Sequence, residues 1–168
     1  MTFEEIIPKD LTANAIKLIG LDWMLVTSGD KKKYNMMTAS WGGLGVLWHK
    51  PVCFVFVRPS RYTYEFIEEN DYFSCTFFSK DYRSELNFCG TKSGRDVNKM
   101  EEVKLTPVEN FGTVAFEEAD LVLYCKKLYY HDLQTANFLH PIQNEFYKNG
   151  NYHRMYISEI VACQKKID

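Results

Sequence analysis

Long hydrophobic runs are missing from this 168-residue sequence. No stretch approaches the roughly 18 consecutive apolar residues that a membrane-spanning helix needs. The first residues, Met1 to Glu5, include two acidic side chains and no apolar signal core. These absences lead us to expect a cytoplasmic protein with no membrane partner.

A strong excess of charge of one sign is also missing. The formal net charge is −2 at pH 7, which provides no electrostatic footprint for nucleic acid. The only lysine run, residues 31–33, is short and follows turn-forming residues. A solvated hairpin tip is therefore favoured over a nucleic-acid-binding patch.

Cysteine motifs are absent, although the sequence contains five cysteines. They are odd in number, widely spaced and include no Cys-x-x-Cys pair. Cys53, Cys75, Cys125 and Cys163 lie in apolar, strand-like runs, where free cysteine behaves as a small hydrophobic residue. We predict reduced thiols and no metal site, because neither the cysteines nor the four histidines show ligand spacing.

Familiar catalytic and nucleotide-binding motifs are missing as well. No Gly-x-Gly-x-x-Gly follows a predicted strand, so a Rossmann nicotinamide site is not expected. No Ser/His/Asp or Cys/His grouping is recognisable, and no linker, repeat or low-complexity tract appears. With 46% hydrophobic and 15% aromatic residues, the chain suits one folded domain over residues 1–168.

What the sequence does contain is a series of strand-like segments. Their patterns predict a mainly β fold with appended helices. We predict strands at residues 22–28, 35–41, 51–57, 72–78, 121–130 and 153–165, and helices at residues 12–20, 60–70 and 81–89. Gly42, Gly43 and Gly45 indicate either a loop that needs positive φ or a close approach of the backbone to a flat ligand. The spacing of Ser93 and Asp96 is that of a capping box and predicts one more short helix.

A candidate anion site follows the apolar run at residues 51–57. The next residues read Arg58-Pro59-Ser60-Arg61-Tyr62-Thr63, in which Ser60 is a candidate N-cap. A helix N-terminus exposes unpaired N–H groups and favours phosphate or carboxylate, and Arg58 and Arg61 would add charged donors. An ordinary capped helix with surface arginines is the alternative from these residues alone.

Three segments in the same order resemble one known family. They are Asn35-x-Met-Thr-Ala-Ser-Trp41, Val57-Arg-Pro-Ser-Arg-Tyr-Thr63 and Cys89-Gly-Thr-Lys-Ser-Gly-Arg-Asp-Val-Asn-Lys99. They are similar to the flavin reductase-like, FMN-binding split-barrel family, the flavoredoxin group, and the match covers nearly the whole chain. The resemblance implies an FMN-binding split β-barrel that forms a homodimer, with flavin sites near the subunit interface.

The resemblance also implies which residues contact FMN. In the family, the turn at Arg58 holds the FMN phosphate, the strand at Thr38 faces the isoalloxazine ring and the ribityl chain, and the loop at Ser93 lies at the flavin. Lys99 is either a contact across the site or a solvated side chain, and Trp41 either covers the ring or packs in the core. The resulting candidate residues are Met37, Thr38, Ala39, Ser40, Trp41, Arg58, Ser60, Tyr62, Thr63, Ser93, Gly94, Lys99, Tyr152 and His153.

Two functions are compatible with such a site. The first is an FMN-dependent oxidoreductase that passes electrons from NAD(P)H to flavin or another acceptor. The second is an FMN-carrying electron-transfer protein, like flavoredoxin, that serves redox protein partners without substantial NAD(P)H turnover. In both, the cofactor supplies the redox chemistry and the protein supplies binding and orientation, so no catalytic side chain is expected. A barrel that has lost its flavin site is a third interpretation.

Overall fold

Most of the chain is built into one antiparallel sheet. The computed structural model describes residues 2–167, and within them ten strands occur: β1 Thr2–Ile6, β2 Met24–Asp30, β3 Lys33–Ala39, β4 Gly42–Leu47, β5 Lys50–Val57, β6 Tyr72–Phe77, β7 Pro107–Asn110, β8 Thr113–Phe116, β9 Leu121–Asp132 and β10 Arg154–Ile167. Eight of these strands form a sheet with the order β3-β2-β6-β9-β10-β5-β4, and β1 pairs with β10. Strands β7 and β8 form a separate hairpin.

The sheet curls around one apolar core. That core contains alternate side chains from β2, β3, β5, β6, β9 and β10, and Leu44 of β4 packs against it. The two edge strands, β3 and β4, do not pair with each other, so the barrel stays split between them. The predicted fold class, mainly β with appended helices, is confirmed.

Five short helices lie at the ends and on the outer face of the sheet. They are α1 Ala15–Lys17, which continues as a π-helical turn over Leu18–Asp22, α2 Tyr62–Glu69, α3 Arg83–Thr91, α4 Lys99–Glu102 and α5 Gln143–Phe146. Single 3-10 turns occur at Pro8–Asp10, Lys80–Tyr82 and Thr135–Asn137. Along the described chain, no helix is long and apolar enough to cross a membrane.

A second apolar cluster covers the outer face of the sheet. Leu25 of β2 and Met36 of β3 pack there against α3 and the β7–β8 hairpin, while Val26 and Met37 point into the barrel. This alternation follows from the two-residue period of a strand. Both faces of β2 and β3 are therefore buried, which holds β3 firmly although it is an edge strand.

The six predicted strands are present, with ends shifted by up to two residues. Lys31 and Lys32 form the exposed β2–β3 turn, as predicted. The helix predicted at residues 12–20 is wrong in extent, because Asn14, not Thr12, caps α1 by accepting from the Lys17 N–H. Strands β1, β7 and β8 were not predicted, since each has only four or five residues and is defined by its pairing.

The glycine-rich segment is a strand, which corrects the prediction of a loop. Gly42, Gly43 and Gly45 lie in β4, where they pair with β5, and none of them has positive φ. A Cβ on Gly42 would lie 2.5 Å from the Phe54 carbonyl oxygen. The close approach that requires glycine at this position is therefore to the neighbouring strand.

Two helix ends also differ from their predictions. Gly90 lies inside α3, which continues to Thr91, instead of ending it. Ser93 starts a turn in which its hydroxyl accepts from the Arg95 N–H. The following helix, α4, is capped by Asn98, whose side chain accepts from the Met100 N–H. The predicted Ser93 capping box is therefore wrong.

All five cysteines are free and buried. The prediction of unpaired, core-forming thiols is confirmed. The argument from spacing missed one consequence of the fold, because Cys53, Cys75 and Cys125 come from three different strands and have their sulfurs within 4.8 Å of one another.

Candidate functional site

A cleft opens where the edge of β3 meets the end of β5. Its volume is about 210 Å³. The side chains around it come from β3, β5, the end of α3 and the segment before β10. They belong to Met37, Thr38, Ala39, Ser40, Trp41, Phe56, Arg58, Arg61, Gly90 and His153.

The edge of β3 supplies backbone groups to this cleft. The Met36 carbonyl accepts a hydrogen bond from Lys99 Nζ at 2.9 Å, so this carbonyl points away from β2. Backbone groups in a strand alternate in direction, and the N–H and C=O of Thr38 therefore point the same way, toward the cleft. The Thr38 hydroxyl donates to the Leu86 carbonyl and ties β3 to α3. Thr38 thus offers its main chain to a ligand while its side chain is used structurally.

Two arginines supply positive charge at the other wall of the cleft. The Arg58 guanidinium donates to the carbonyls of Phe146 and Asn151, at 3.0 and 3.2 Å, and stands over the Tyr147 ring. Arg61 donates to the Gly90 carbonyl at 2.9 Å. Within residues 2–167, neither arginine forms an ion pair with a carboxylate.

Arg61 lies partly buried beside a second cation. Burial, with a further contribution from the nearby Arg58, lowers the pKa of Arg61 from its ordinary value. Two cations held close together without a neutralising carboxylate favour an anionic ligand. The cleft is therefore suited to a phosphate or carboxylate group.

Aromatic side chains form a third wall. The ring centres of Phe146 and His153 each lie 5.2 Å from that of Trp41, which is 42% exposed. His153 is buried, and its Nδ1 lies 2.8 Å from the Tyr147 hydroxyl. Burial, and secondly the charge of Arg58, lowers the pKa of His153 to about 4. His153 is therefore neutral at pH 7 and adds no positive charge to the cleft.

Further apolar space adjoins the cleft at Trp41. One neighbouring cavity, of about 340 Å³, lies among Trp41 and the aromatic or branched residues of the segment before β10. Another, of about 480 Å³, lies between α1 and the start of β4. Trp41 contributes to both cavities and to the cleft, so it stands at the junction of a charged site and an apolar one.

The structure brings seven of the predicted residues together at the cleft, and it places the other seven elsewhere. The seven at the cleft are Met37, Thr38, Ala39, Ser40, Trp41, Arg58 and His153. Tyr62, Gly94 and Lys99 line a second cleft, between the start of β3, α2 and residues 94–100. Ser93 forms the turn before α4, and Tyr152 stacks on Tyr147 and accepts from the Thr135 hydroxyl.

Ser60 and Thr63 differ from their predicted local roles. Arg61, not Ser60, occupies the N-cap position of α2, and the Ser60 hydroxyl instead accepts from the Asn151 amide at 2.7 Å. Ser60 thus remains beside Arg58, which contacts the same segment. Thr63 is buried, and its hydroxyl accepts from the Asn35 amide at 2.7 Å. Its hydroxyl therefore faces β3 and not the space in front of the helix.

Lys99 is not a solvated side chain, so that one of the two predictions for this residue is wrong. It is only 3% exposed. Its Nζ donates to the carbonyls of Met36 and Cys89, at 2.9 and 2.8 Å. Burial lowers the pKa of Lys99 to about 8. Lys99 therefore links β3 to the end of α3 by hydrogen bonds and does not line the cleft.

Three cleft residues were missing from the set predicted by sequence. Arg61 was recognised as a possible charged donor but was not included among the site residues. Phe56 lies two residues before Arg58, so strand alternation places both on one face of β5, and this signal was available. Gly90 was interpreted as a helix stop, and only the packing of α3 on β3 brings it to the cleft.

The fold and the cleft together define a split-barrel protein with a positively charged cleft at its open edge. The sequence model of the flavin reductase like domain matches residues 19–167. The chain belongs to this family. Among curated proteins, none matches the chain.

Solved structures with the same fold include several flavin proteins. A flavoredoxin from Methanosarcina acetivorans is 25% identical, with a TM-score of 0.66, and the match covers 86% of this chain and 68% of that chain. An FMN-binding domain of a flavin reductase-like enzyme from Shewanella baltica OS155 is 18% identical, with a TM-score of 0.70 and coverage of 98% and 77%. An FMN-binding protein from Thermus thermophilus with bound p-hydroxybenzaldehyde is 19% identical, with a TM-score of 0.68 and coverage of 86% and 71%.

Proposed function

We propose that the cleft binds FMN and that the chain is an NAD(P)H-dependent flavin reductase. The observation that carries this proposal is the pair Arg58 and Arg61, which face the cleft beside the exposed edge of β3. Among the described residues, no carboxylate forms an ion pair with either arginine. A phosphate at the arginines and a heterocycle along β3 would use both features. The family membership and the FMN-binding structural neighbours support the same ligand.

Different groups at the cleft bind different parts of FMN. Arg58 and Arg61 hold the phosphate by charge-assisted hydrogen bonds, with Ser60 next to them. The main chain from Thr38 to Ser40 offers N–H and C=O groups to the polar edge of the ring system. Bound FMN supplies the hydride-accepting chemistry, and the protein orients it and limits its contact with water.

A second candidate function is electron transfer without substantial NAD(P)H turnover. The exposure of Trp41 beside the cleft favours it, because an open aromatic edge allows a redox protein partner to approach. A flavoredoxin is among the structural neighbours. Both functions require the same FMN site and differ only in the electron donor.

Arginine variants test the FMN site directly. We expect Arg58→Ala and Arg61→Ala each to weaken FMN binding by about tenfold or more, since a charged hydrogen bond contributes roughly 1.5–3 kcal/mol. Fluorescence titration of FMN measures the affinity, and the exposed Lys104→Ala controls for net charge. Unchanged affinity in both arginine variants would remove the phosphate assignment.

Anaerobic reduction then separates the two functions. The FMN-loaded protein is mixed with NADH or NADPH, and the flavin absorbance is followed. Rapid bleaching with multiple turnovers in the presence of free flavin supports the reductase. Retained FMN without bleaching supports the electron carrier.

We also propose a homodimer in a reducing compartment such as the cytoplasm. Large apolar side chains are exposed on β4, on the adjoining turn and on the outer part of β9, notably Val46, Trp48, Tyr129 and Tyr130. An exposed apolar surface of this kind is typical of a subunit interface. The five unpaired thiols support a reducing environment.

A further inference from the structure

The interior of the barrel contains a cluster of three thiols that the cleft does not use. Cys53 of β5, Cys75 of β6 and Cys125 of β9 are each fully buried. Their Sγ atoms all lie within 4.8 Å of one another, and those of Cys53 and Cys75 are 4.0 Å apart. The three residues are far apart in sequence, so only the closure of the sheet assembles them.

The spacing of the sulfurs matches the size of a metal ion. A triangle of sulfurs with 4.0 Å sides has its centre about 2.3 Å from each atom, which is the length of a zinc–thiolate bond. At the upper limit of 4.8 Å, the centre is about 2.8 Å from each sulfur, and small rotations of the side chains close that gap. The cluster is therefore preorganised for three metal–sulfur bonds.

The surroundings of the cluster select the kind of cation. The neighbouring side chains of this core include the apolar Val26, Val55 and Phe73. Ser158, which is fully buried, pairs directly with Cys53 and shares its face of the sheet. Within residues 2–167, Lys99 and His153 are the buried basic side chains. Neither belongs to the cluster, because Lys99 donates hydrogen bonds to the Met36 and Cys89 carbonyls and His153 lies at the cleft. Three sulfur ligands without a carboxylate suit soft, thiolate-seeking ions.

We propose that Cys53, Cys75 and Cys125 bind one soft, thiolate-seeking cation of the Cu(I) or Zn(II) type inside the barrel. On binding, the ion replaces thiol protons, which leave to solvent, and its positive charge offsets part of the negative charge of the thiolates. The site shares no residue with the cleft, so it does not depend on the proposed flavin function.

A fourth cysteine distinguishes the two candidate ions, Zn(II) and Cu(I). Cys163 of β10 is fully buried in the same core and pairs with Leu123, two residues before Cys125 on β9. Structural zinc sites are nearly always four-coordinate, so Zn(II) would recruit Cys163. A Cu(I) ion held by three sulfurs does not need it.

Anaerobic titration of the reduced, full-length chain tests the proposal. Cu(I) and Zn(II) are added separately, each against a competing chelator, both to the folded protein and during refolding from denaturant. Native mass spectrometry counts the ions, and near-ultraviolet thiolate-to-metal absorption reports the ligands. We expect one ion per chain, and we expect Cys163→Ala to abolish binding of Zn(II) but not of Cu(I).

Matched variants identify the ligands. Cys75→Val, close in size and apolar, and Cys53→Ala are expected to lose the one-ion binding, with circular dichroism confirming that each variant folds. Cys89→Ala, a buried cysteine in the other apolar cluster, is expected to retain it. Absence of binding for both ions in both loading procedures overturns the proposal, as does binding that survives in the folded Cys75 and Cys53 variants.

Discussion

His153 shows how a single side chain responds to its place in the cleft. It is buried next to the charge of Arg58, and its ring contacts Trp41 and the Tyr147 hydroxyl. Both burial and a neighbouring cation disfavour the protonated imidazole. His153 was one of the candidate residues named from the sequence, and it forms part of the wall of the cleft.

The pH dependence of stability follows from this environment. The unfolded chain takes up a proton on His153 near its ordinary pKa of 6.5, whereas the folded chain does so only near pH 4. The free energy of unfolding therefore decreases as pH falls from about 6.5 to about 4. We expect His153→Gln to reduce this slope in urea unfolding curves, and the exposed His49→Gln to leave it unchanged. Equal slopes in wild type and the His153 variant would contradict the assignment.

At the scale of secondary-structure elements, Lys99 is the link between β3 and α3. Its two hydrogen bonds join carbonyls that are 53 positions apart in the chain, at Met36 and Cys89. The same link fixes the direction in which the edge of β3 presents Thr38. The lysine therefore acts on the site through the backbone and not by contact.

The lowered pKa of Lys99 predicts a second dependence of stability on pH, with the same sign but in a higher pH range. Burial lowers its pKa from 10.5 to about 8, so the folded chain releases this proton before the unfolded chain does. The free energy of unfolding of the wild type should therefore increase relative to Lys99→Met as pH rises through about 8. Parallel unfolding series of the two proteins measure the difference, with Lys104→Met as an exposed control. A constant difference across this pH range would show that the lysine is not buried as described.

The glycines of β4 provide a matched pair of variants. A Cβ on Gly42 would lie 2.5 Å from the Phe54 carbonyl oxygen, whereas one on Gly45 would lie 3.6 Å from a ring carbon of Phe54. We expect Gly42→Ala to destabilise the protein by about 1–3 kcal/mol, because the β4–β5 pair must separate. Gly45→Ala should remain within about 0.5 kcal/mol of wild type. Thermal and urea unfolding compare the two, and equal losses would argue against strand contact as the cause.

At the scale of the whole molecule, the exposed apolar side chains predict self-association. Val46 is 77% exposed and Trp48 is 55% exposed, and the Trp48 ring lies 6.4 Å from that of Tyr129. We expect the wild type to sediment as a dimer, and the double variant Val46→Lys/Trp48→Lys to sediment as a monomer. Ile7→Lys, at another exposed apolar position, serves as the control. A monomeric wild type would exclude the dimer, and a dimeric double variant would exclude this surface.

Many strands and motifs of the molecule could be predicted from local sequence patterns. The apolar run at residues 51–57 is β5, and the Arg58 segment that follows it reaches the cleft as expected. The motif around Thr38 lies on the edge strand beside it. These features were predictable because strand alternation and turn residues act over a few neighbouring positions.

Other features depended on contacts between distant segments. Lys99 has the sequence context of a surface residue, yet α4 places its ammonium group against backbone carbonyls of β3 and α3. Ser60 fits a helix-capping pattern and Thr63 follows it in the sequence, yet their hydroxyls accept from the amides of Asn151 and Asn35. Local propensity cannot predict such choices, because a buried polar group takes whichever partner the packing brings near.

The sequence by itself therefore determined the fold class, the family, the strand edge of the cleft and Arg58 beside it, since these rest on the hydrophobic period and on motifs of short range. The tertiary structure alone decided that Lys99 is buried, that His153 is neutral and that three cysteines from separate strands meet. Each of these depends on burial and on distances across the barrel, which arise only when the sheet closes around its core.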